Sequence, residues 1–375
     1  MMQPSYSLQR QRGVTLIELM VTIAITMFLV AAAAYVYLGT RETQRAIDRN
    51  SSNTETGTFV LQLIGRDIMK SGFYPANISR VTPDEGFPKL SYYPPIKLAE
   101  NSALTTDWTP PTPTTVYMSG LFGCDGARYD PTANPPCVVP TGTVQGEPVP
   151  DSLVINYFTN DTMDVNSSDR FDCTGADVTN AVSTSNNNRR NTANSNLSPL
   201  QPLFVSNRYA ISDAKKTQID GQEVTTRSLA CVGNGSGDNA GGSGIPYQPM
   251  VQGIEDMQIT YGVFATTTPS SENMARRTPD KYLTATDVNA LSNVSVETGA
   301  LGIASLSPWS RVVSVRICVM AKSIGASPKI AAPTDAERKY IDCNGVEQTQ
   351  NVSDKSLRKR FVQEFAVRNR LNQSY

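Results

Sequence analysis

Residues 13–38 read GVTLIELMVTIAITMFLVAAAAYVYL, an apolar run in which Glu18 is the single charged residue. From Val14 to Leu38 the run exceeds the roughly 20 residues that a helix needs to cross a bilayer. Arg10 and Arg12 precede it, and positive charge on that side keeps the preceding segment in the cytoplasm. The stretch therefore predicts a single-pass membrane helix behind a short polar leader, residues 1–13.

Glu18 separates three interpretations of this run. A secretory signal has an apolar core of about 7–15 residues, which is shorter, although the alanines at 31–34 imitate a cleavage site. A plain anchor would leave an acid in hydrocarbon, which costs a few kcal/mol and is retained for a partner. The third interpretation, a prepilin, accounts for every part.

The segment RGVTLIELMV at 12–21 resembles the prepilin cleavage and methylation motif of type IV pilins and type II secretion pseudopilins. The resemblance implies that a prepilin peptidase cuts after Gly13 and methylates the new amine of Val14, where phenylalanine is usual. Val14 and Glu18 lie one helical turn apart. In an assembled filament, the Glu18 carboxylate of one subunit is then expected to neutralise the Val14 amine of its neighbour, since an unpaired charge is costly in an apolar bundle.

Composition excludes several classes of function. The chain has 375 residues, a net charge of −1 and no histidine, which removes Ser-His-Asp catalysis and the common zinc sites. With a net charge of −1, the chain has no overall positive field that would attract nucleic acid. We predict no enzyme activity, no cofactor and no metal site; Asp238-Asn239 lacks the oxygen spacing of a calcium loop.

Six cysteines in a loop-rich exported domain indicate disulfides. Six cysteines allow 15 pairings, and we favour sequence neighbours without excluding buried thiols. The favoured pairs are Cys124–Cys137, Cys173–Cys231 and Cys318–Cys343.

Periodicity predicts an α+β fold, a long N-terminal helix packed on an antiparallel sheet with long loops. The expected parts are the leader 1–13, a helix at 14–72 whose first part, 14–38, spans the membrane or lies in the filament core, and an extracytoplasmic β-rich domain at 73–375. A kink or fray is expected at 51–57, which is weakly helical. Predicted strands lie at 153–158, 202–211, 224–232, 254–264, 312–321 and 361–367, and a short helix at 286–291, capped by Thr286 or Asp287.

Ordered internal blocks resemble the PilW family of minor type IV pilins. They are LIGRDI at 63–68 with SGF at 71–73, FDC at 171–173, LACVG at 229–233, QPMVQGIEDMQ at 248–258 with YG at 261–262, Tyr282, Trp309 and VVSVRI at 312–317. The resemblance implies a structural protein that helps prime pilus assembly, sits at the tip and supports twitching motility, adhesion or DNA uptake. Implied partners are the prepilin peptidase, other minor pilins, the major pilin, the inner membrane and a tip adhesin. The implied location is the inner membrane with a periplasmic domain, then the pilus at the cell surface.

Two alternatives stay open. A J-type pseudopilin of type II secretion shares the helix, and a membrane-tethered enzyme or receptor shares the anchor, although the sequence lacks histidine and an evident convergent acid pair. On the presumed domain surface we expect Glu255 and Asp256 at an exposed edge. For Arg66 and Asp67 we favour a solvated helix face over a cap or a bridge to the sheet. We also expect a solvated basic cluster. That cluster comprises Arg358, Lys359, Arg360, Arg368 and Arg370.

Overall fold

A computed structural model of the chain describes residues 13–73, 116–117, 120–130, 133, 135–140, 149–158, 171–176, 178, 204–219, 222–233, 235, 247–264, 278–292, 294–297, 303–306, 308–324, 339–350 and 356–368. The helices are α1 (Leu16–Lys70), α2 (Ala285–Asn289) and a 3₁₀ helix at Pro308–Arg311. The strands are β1 (Val116–Tyr117), β2 (Leu121–Cys124), β3 (Arg128–Tyr129), β4 (Cys137–Val138), β5 (Ser152–Phe158), β6 (Phe204–Ile211), β7 (Lys215–Ile219), β8 (Gln222–Thr226), β9 (Ser228–Gly233), β10 (Gln248–Gln252), β11 (Ile254–Val263), β12 (Lys281–Leu283), β13 (Val294–Glu297), β14 (Ile303–Leu306), β15 (Val312–Lys322), β16 (Lys339–Ile341), β17 (Glu347–Thr349) and β18 (Arg358–Ala366).

Helix α1 is 55 residues long, or about 80 Å at 1.5 Å per residue. The expected fray at 51–57 is wrong, because α1 continues through these residues without a break. Contacts with the end of the chain hold this weakly helical stretch: Asn53 donates to the Leu357 carbonyl at 2.9 Å, and Lys359 Nζ donates to Thr54 Oγ1 at 2.9 Å. The helix ends where Gly72 adopts a φ of +67°, the stop expected there, and its N–H donates to the Asn156 carbonyl at 2.9 Å.

Two antiparallel sheets form the body of the domain. The first has the order β10-β9-β6-β5-β2 and the second β12-β11-β15-β18. The alternation in β15 was predicted correctly, since Val315, Ile317 and Val319 are fully buried while Arg316 is exposed. β18, the ambiguous C-terminal segment, is a strand as expected and pairs with β15 along its whole length.

One hydrophobic core joins the helix and both sheets. The second half of α1 contributes Val60, Ile64 and Ile68, all at 0% exposure. The first sheet contributes residues such as Leu153 and Leu229. This arrangement confirms the α+β architecture, with the second half of α1 packed against both sheets.

Smaller elements depart from expectation in three places. β1 pairs with β14 in parallel inside a three-stranded sheet with β13, so the sheets are not wholly antiparallel. The short helix α2 is capped by Thr284, whose hydroxyl accepts the Asp287 N–H, and not by Thr286 or Asp287. The predicted strand at 224–232 is divided between β8 and β9, and β9 makes the expected antiparallel pair with β6.

Candidate functional site

The N-terminus of α1 is closed by a capping box. Thr15 Oγ1 accepts the Glu18 N–H at 3.4 Å, and Glu18 Oε2 accepts the Thr15 N–H at 3.1 Å and its hydroxyl at 3.1 Å. This reciprocal pair satisfies donors that a helix start leaves unpaired. The Glu18 carboxylate therefore already has a local partner within its own chain, which the sequence analysis missed although the pattern T-x-x-E displays it.

The residues around the cap are open to the surroundings. Val14 is 72% exposed, and no atom lies within 4 Å of a side chain built at Gly13. Every residue of the apolar run at 16–38 is exposed. The helix is long and apolar enough to cross a membrane, and its most apolar part is not buried inside the domain.

The second half of α1 is fitted closely to β18. A side chain at Gly57 would overlap the Phe361 ring, and one at Gly65 would overlap the Phe365 ring. The absence of Cβ atoms lets the strand approach the helix at these two points. The helix and the last strand consequently form one unit, running in the same direction.

Asp67 fixes the helix to the first sheet. It is 5% exposed, and its Oδ2 accepts the Tyr209 hydroxyl at 2.6 Å and the Asn207 side-chain amide at 2.7 Å. Asn207 Oδ1 in turn accepts the Cys173 N–H at 2.9 Å. The solvated-face expectation is therefore wrong for Asp67 and correct for Arg66, which is exposed.

Burial and the neighbouring carboxylate raise the pKa of Tyr209 well above its ordinary value, with burial the larger cause. The hydroxyl therefore remains a proton donor to Asp67 over the whole physiological pH range. A buried carboxylate with two donors is worth more to the fold than a solvated one.

The exposed-edge expectation for Glu255 and Asp256 is also wrong. Asp256 is 4% exposed, and Glu255 is half-buried between two cations. Arg358 donates to both Glu255 oxygens, at 2.5 and 2.8 Å, and Lys322 lies 3.5 Å away. Part of the basic cluster is thus an internal ion pair, with Arg358 only 8% exposed in its side chain. Arg360 and Arg368 are exposed as expected, and Arg370 lies outside the described residues.

Three acids meet where the sheets join. Asp151 accepts the Gly126 N–H and the Ile259 N–H, each at 2.8 Å, and burial raises its pKa to about 7. Burial likewise raises the pKa of Asp256 to about 6. Asp125 accepts the N–H groups of the first turn of α2 at 2.8 and 2.6 Å. An acid cluster that the sequence did not reveal is therefore present, and its oxygens clamp backbone segments together.

The structure contains the three neighbour disulfides, Cys124–Cys137, Cys173–Cys231 and Cys318–Cys343. Two of these disulfides have one cysteine in a turn of the same type. The turns are FDCTGA at 171–176 and IDCNGV at 341–346. In each, the aspartate Oδ1 accepts the N–H groups two and four residues later, and the glycine has a φ near +80°. This repeat, Asp-Cys-x-Gly, is a signal that the sequence analysis passed over.

No cluster of three metal-binding side chains occurs among the described residues. The calcium-loop candidate, Asp238-Asn239, lies outside them. The described residues therefore form an exposed apolar rod, residues 16–38, which has a capped N-terminal end. The helix continues from this rod into a disulfide-bonded domain, where its second half is packed.

Comparison with known proteins gives two family matches. Residues 8–34 match the prokaryotic N-terminal methylation motif, and residues 208–369 match the PilW family, described as type IV pilus-assembly protein W. No curated protein matches the chain. A solved structure of a type IV-like pilin from Thermus thermophilus is similar at 10% identity, with a TM-score of 0.23, over 59% of this chain and 79% of that one. The chain is therefore similar to the methylation motif over the start of the apolar rod, and to the PilW family over residues that include the second sheet and part of the first.

Proposed function

We propose that this chain is a structural minor pilin that helps to prime type IV pilus assembly. The observation that carries the proposal is the division of α1: an exposed apolar first half continues into a second half that is buried in the domain. The apolar first half of such a helix is shielded from water only when other apolar helices, or lipid, cover it. The family matches support a structural protein that works with other pilus components. The proposal takes these components to be other minor pilins and the major pilin.

The proposal assigns three parts to the chain. Residues 1–13 are a leader removed after Gly13, residues 14–72 are the assembly helix, and residues 73–375 are the domain carried outside the inner membrane. The open surroundings of Gly13 and Val14 support access by a prepilin peptidase. The domain then reaches the periplasm and finally the pilus, where a tip position and contact with an adhesin belong to the same proposal.

Glu18 has a two-stage role in this proposal. Before cleavage its carboxylate caps its own helix through Thr15. Cleavage creates a cationic amine on Val14, and in the assembled bundle the carboxylate is attracted to the amine of a neighbouring subunit. Both charges then lie in an apolar environment, where only the correct stagger pairs them.

Two substitutions separate the charge of Glu18 from its capping. Glu18→Gln keeps an oxygen that accepts the Thr15 N–H but removes the charge, whereas Glu18→Ala removes both. We expect cleavage and export of both variants, and loss of both from sheared surface pili. Cleavage is followed by mass and incorporation by immunoblotting of the sheared fraction. Normal incorporation of Glu18→Gln would disprove the charge mechanism.

Leader removal is tested at Gly13. Since a side chain there meets nothing in the structure, Gly13→Leu is expected to leave the fold unchanged and to block cleavage in the peptidase active site. The uncleaved chain is measured by intact mass, with Ser7→Leu as a control within the leader. A cleaved Gly13→Leu protein would contradict the assignment.

Deletion of the gene tests the priming role. We expect few surface pili in the deletion strain and partial recovery when retraction is also blocked, because priming and retraction oppose each other. Pili are counted by electron microscopy in both backgrounds, with the wild-type gene restored as the control. An unchanged pilus number in both backgrounds contradicts priming.

A further inference from the structure

The edges of the two large sheets differ in how well they could accept another strand. An edge strand exposes backbone N–H and C=O groups to pairing, and natural edges are usually short, irregular or interrupted by proline. β2 has four residues and β12 has three, while β10 contains Pro249 and a register shift beside it. β18 has nine residues, no proline, no glycine and no register shift. It is the longest regular edge in the described part of the chain.

The hydrogen-bond register shows which backbone groups of β18 face outward. The Val367 N–H donates to the Val313 carbonyl at 2.9 Å, and the Ser323 N–H donates to the Leu357 carbonyl at 2.8 Å. In an antiparallel pair, residues alternate between those bonded to the partner and those directed away from it. The odd-numbered residues of β18 therefore bond to β15, and the even-numbered ones direct their N–H and C=O groups outward.

The outward positions have a defined character. Val362 is 45% exposed, and Arg360 beside it is exposed. Glu364 is already engaged, since Tyr282 donates to it and Arg316 lies 3.5 Å away while stacking on the Tyr282 ring. Within the described ranges no strand lies beyond β18. The edge thus offers one apolar side chain and one cation next to a row of regular backbone groups.

We propose that the β18 edge accepts an extended strand from another pilus-assembly protein, with an apolar residue opposite Val362 and an acidic residue opposite Arg360. Backbone bonds supply affinity in strand addition, and the alternate side chains supply selectivity. Opposite charges across neighbouring strands stabilise the pair, and like charges destabilise it. The class of partner rests on the proposed function, whereas the edge itself does not.

A second copy of this chain is the wrong occupant. Charge alone permits it, because an antiparallel copy centred on Val362 places Arg360 opposite Glu364 in both directions. However, the two-fold axis of such a pair is perpendicular to the sheet and reverses the chain direction. Since α1 runs parallel to β18, with Gly57 against Phe361 and Gly65 against Phe365, the two apolar rods would point in opposite directions. Two copies inserted in one membrane cannot pair this way.

Photo-crosslinking in living cells tests the edge. The full chain carries a photoreactive phenylalanine analogue at Val362, or at Val139, an exposed control position beside β4. Crosslinked peptides are identified by mass spectrometry. We expect the Val362 probe to capture one extended segment with an acidic and an apolar residue two positions apart, and the Val139 probe to capture none.

A backbone test follows with Val362→Pro and Val362→Thr, the probe being moved to Ala366. Proline removes the outward N–H, which β15 does not use, and threonine retains it. We expect proline to lower the crosslink yield about fivefold or more, the factor for one lost intermolecular backbone hydrogen bond, and threonine to leave it unchanged. Arg360→Glu, a surface change that keeps the strand, should lower it similarly.

The outcomes are distinguishable. Equal yields from the proline, threonine and glutamate variants overturn the strand-addition proposal, as does a crosslink between two copies of this chain. A partner segment from outside the pilus machinery overturns the partner class and counts against the proposed function. A normal pilus number in the deletion strain, together with the expected crosslinks, would contradict priming and leave the edge intact.

Discussion

The two halves of α1 belong to one unbroken helix but lie in opposite environments. Ile25 in the first half is 54% exposed, whereas Ile64 in the second half is fully buried. A Cβ atom built at Gly39 would meet no atom within 4 Å, whereas Cβ atoms at Gly57 and Gly65 would overlap the rings of Phe361 and Phe365. Both halves are therefore helical, and they differ in their cover: distant strands of the same chain cover the second half, whereas the first half is exposed.

Substituting the same residue type in each half should give the largest contrast. Ile64→Ala removes buried methylene groups and is expected to lower the free energy of unfolding by about 3 kcal/mol. Ile25→Ala, at an exposed position, should leave the free energy of unfolding of the domain unchanged. Thermal unfolding of the full chain in detergent measures both. Equal effects would mean that the first half is also packed on the domain.

The Asp67 network should give the next largest effect. Asp67→Asn replaces an acceptor of two hydrogen bonds by a group that must turn a donor toward Asn207 or Tyr209, which costs about 2 kcal/mol. Asp48→Asn, on the exposed part of the helix, is the matched control and should cost nothing measurable. Chemical denaturation reports the difference. A neutral Asp67→Asn would show that the buried carboxylate contributes nothing to docking of the helix.

A smaller, pH-dependent effect should also distinguish the halves. Burial raises the pKa of Asp151 from 3.8 to about 7 in the folded state, so the folded protein binds this proton more tightly than the unfolded chain. The resulting stability is present below the unfolded pKa and is lost as the pH rises through about 7, with Asp256 adding a loss through about 6.

We therefore expect the unfolding temperature to fall between about pH 4 and pH 7. Asp151→Asn should flatten this fall, whereas Glu18→Gln, in the exposed half, should leave it unchanged. Calorimetry at several pH values provides the measurement. A fall of the same size in Asp151→Asn would assign the pH dependence to other groups.

The smallest effect is expected at the capped end. Thr15→Ala removes the N-cap and should destabilise the first turn of α1 by about 1 kcal/mol, without changing unfolding of the domain. Hydrogen exchange of the amides at Leu16–Leu19, in detergent, measures it. Thr22→Ala is the control, because its hydroxyl bonds back to the carbonyls of Glu18 and Leu19 and caps nothing. Faster exchange in both variants would contradict a specific cap.

Local features of this fold were predictable from the sequence, and long-range partners were not. The length of the apolar run and the helical spacing of apolar residues predicted α1. The alternation of apolar and polar residues predicted β11 and β15. The solvated-face interpretation failed at Asp67 because its two donors come from β6, about 140 residues later. It failed at Glu255 for the same reason, since its partner Arg358 is 103 residues away. Polar residues look exposed in a sequence until the distant group that pairs with them is known.

The candidate site divides in the same way. The prepilin-like motif and the apolar run were recognised from adjacent residues, and the family matches cover them. The acid cluster was not recognised, because Asp125, Asp151 and Asp256 are assembled by the junction of two sheets. The Asp-Cys-x-Gly turns were visible as a repeat, but their shared hydrogen-bond pattern emerges only from the folded chain.

The close fit of α1 to β18 also bears on how the protein is made. Synthesis proceeds from the N-terminus, so the helix exists long before the last strand that fills the spaces at Gly57 and Gly65. Until that strand arrives, Val60 and Ile64 lack much of their cover, and exposed apolar surface of this kind attracts chaperones and proteases. A chain that terminates before Phe361 can never close its core. The core of the domain is therefore completed only after β18 has been synthesised, because Phe361 and Phe365 belong to that core.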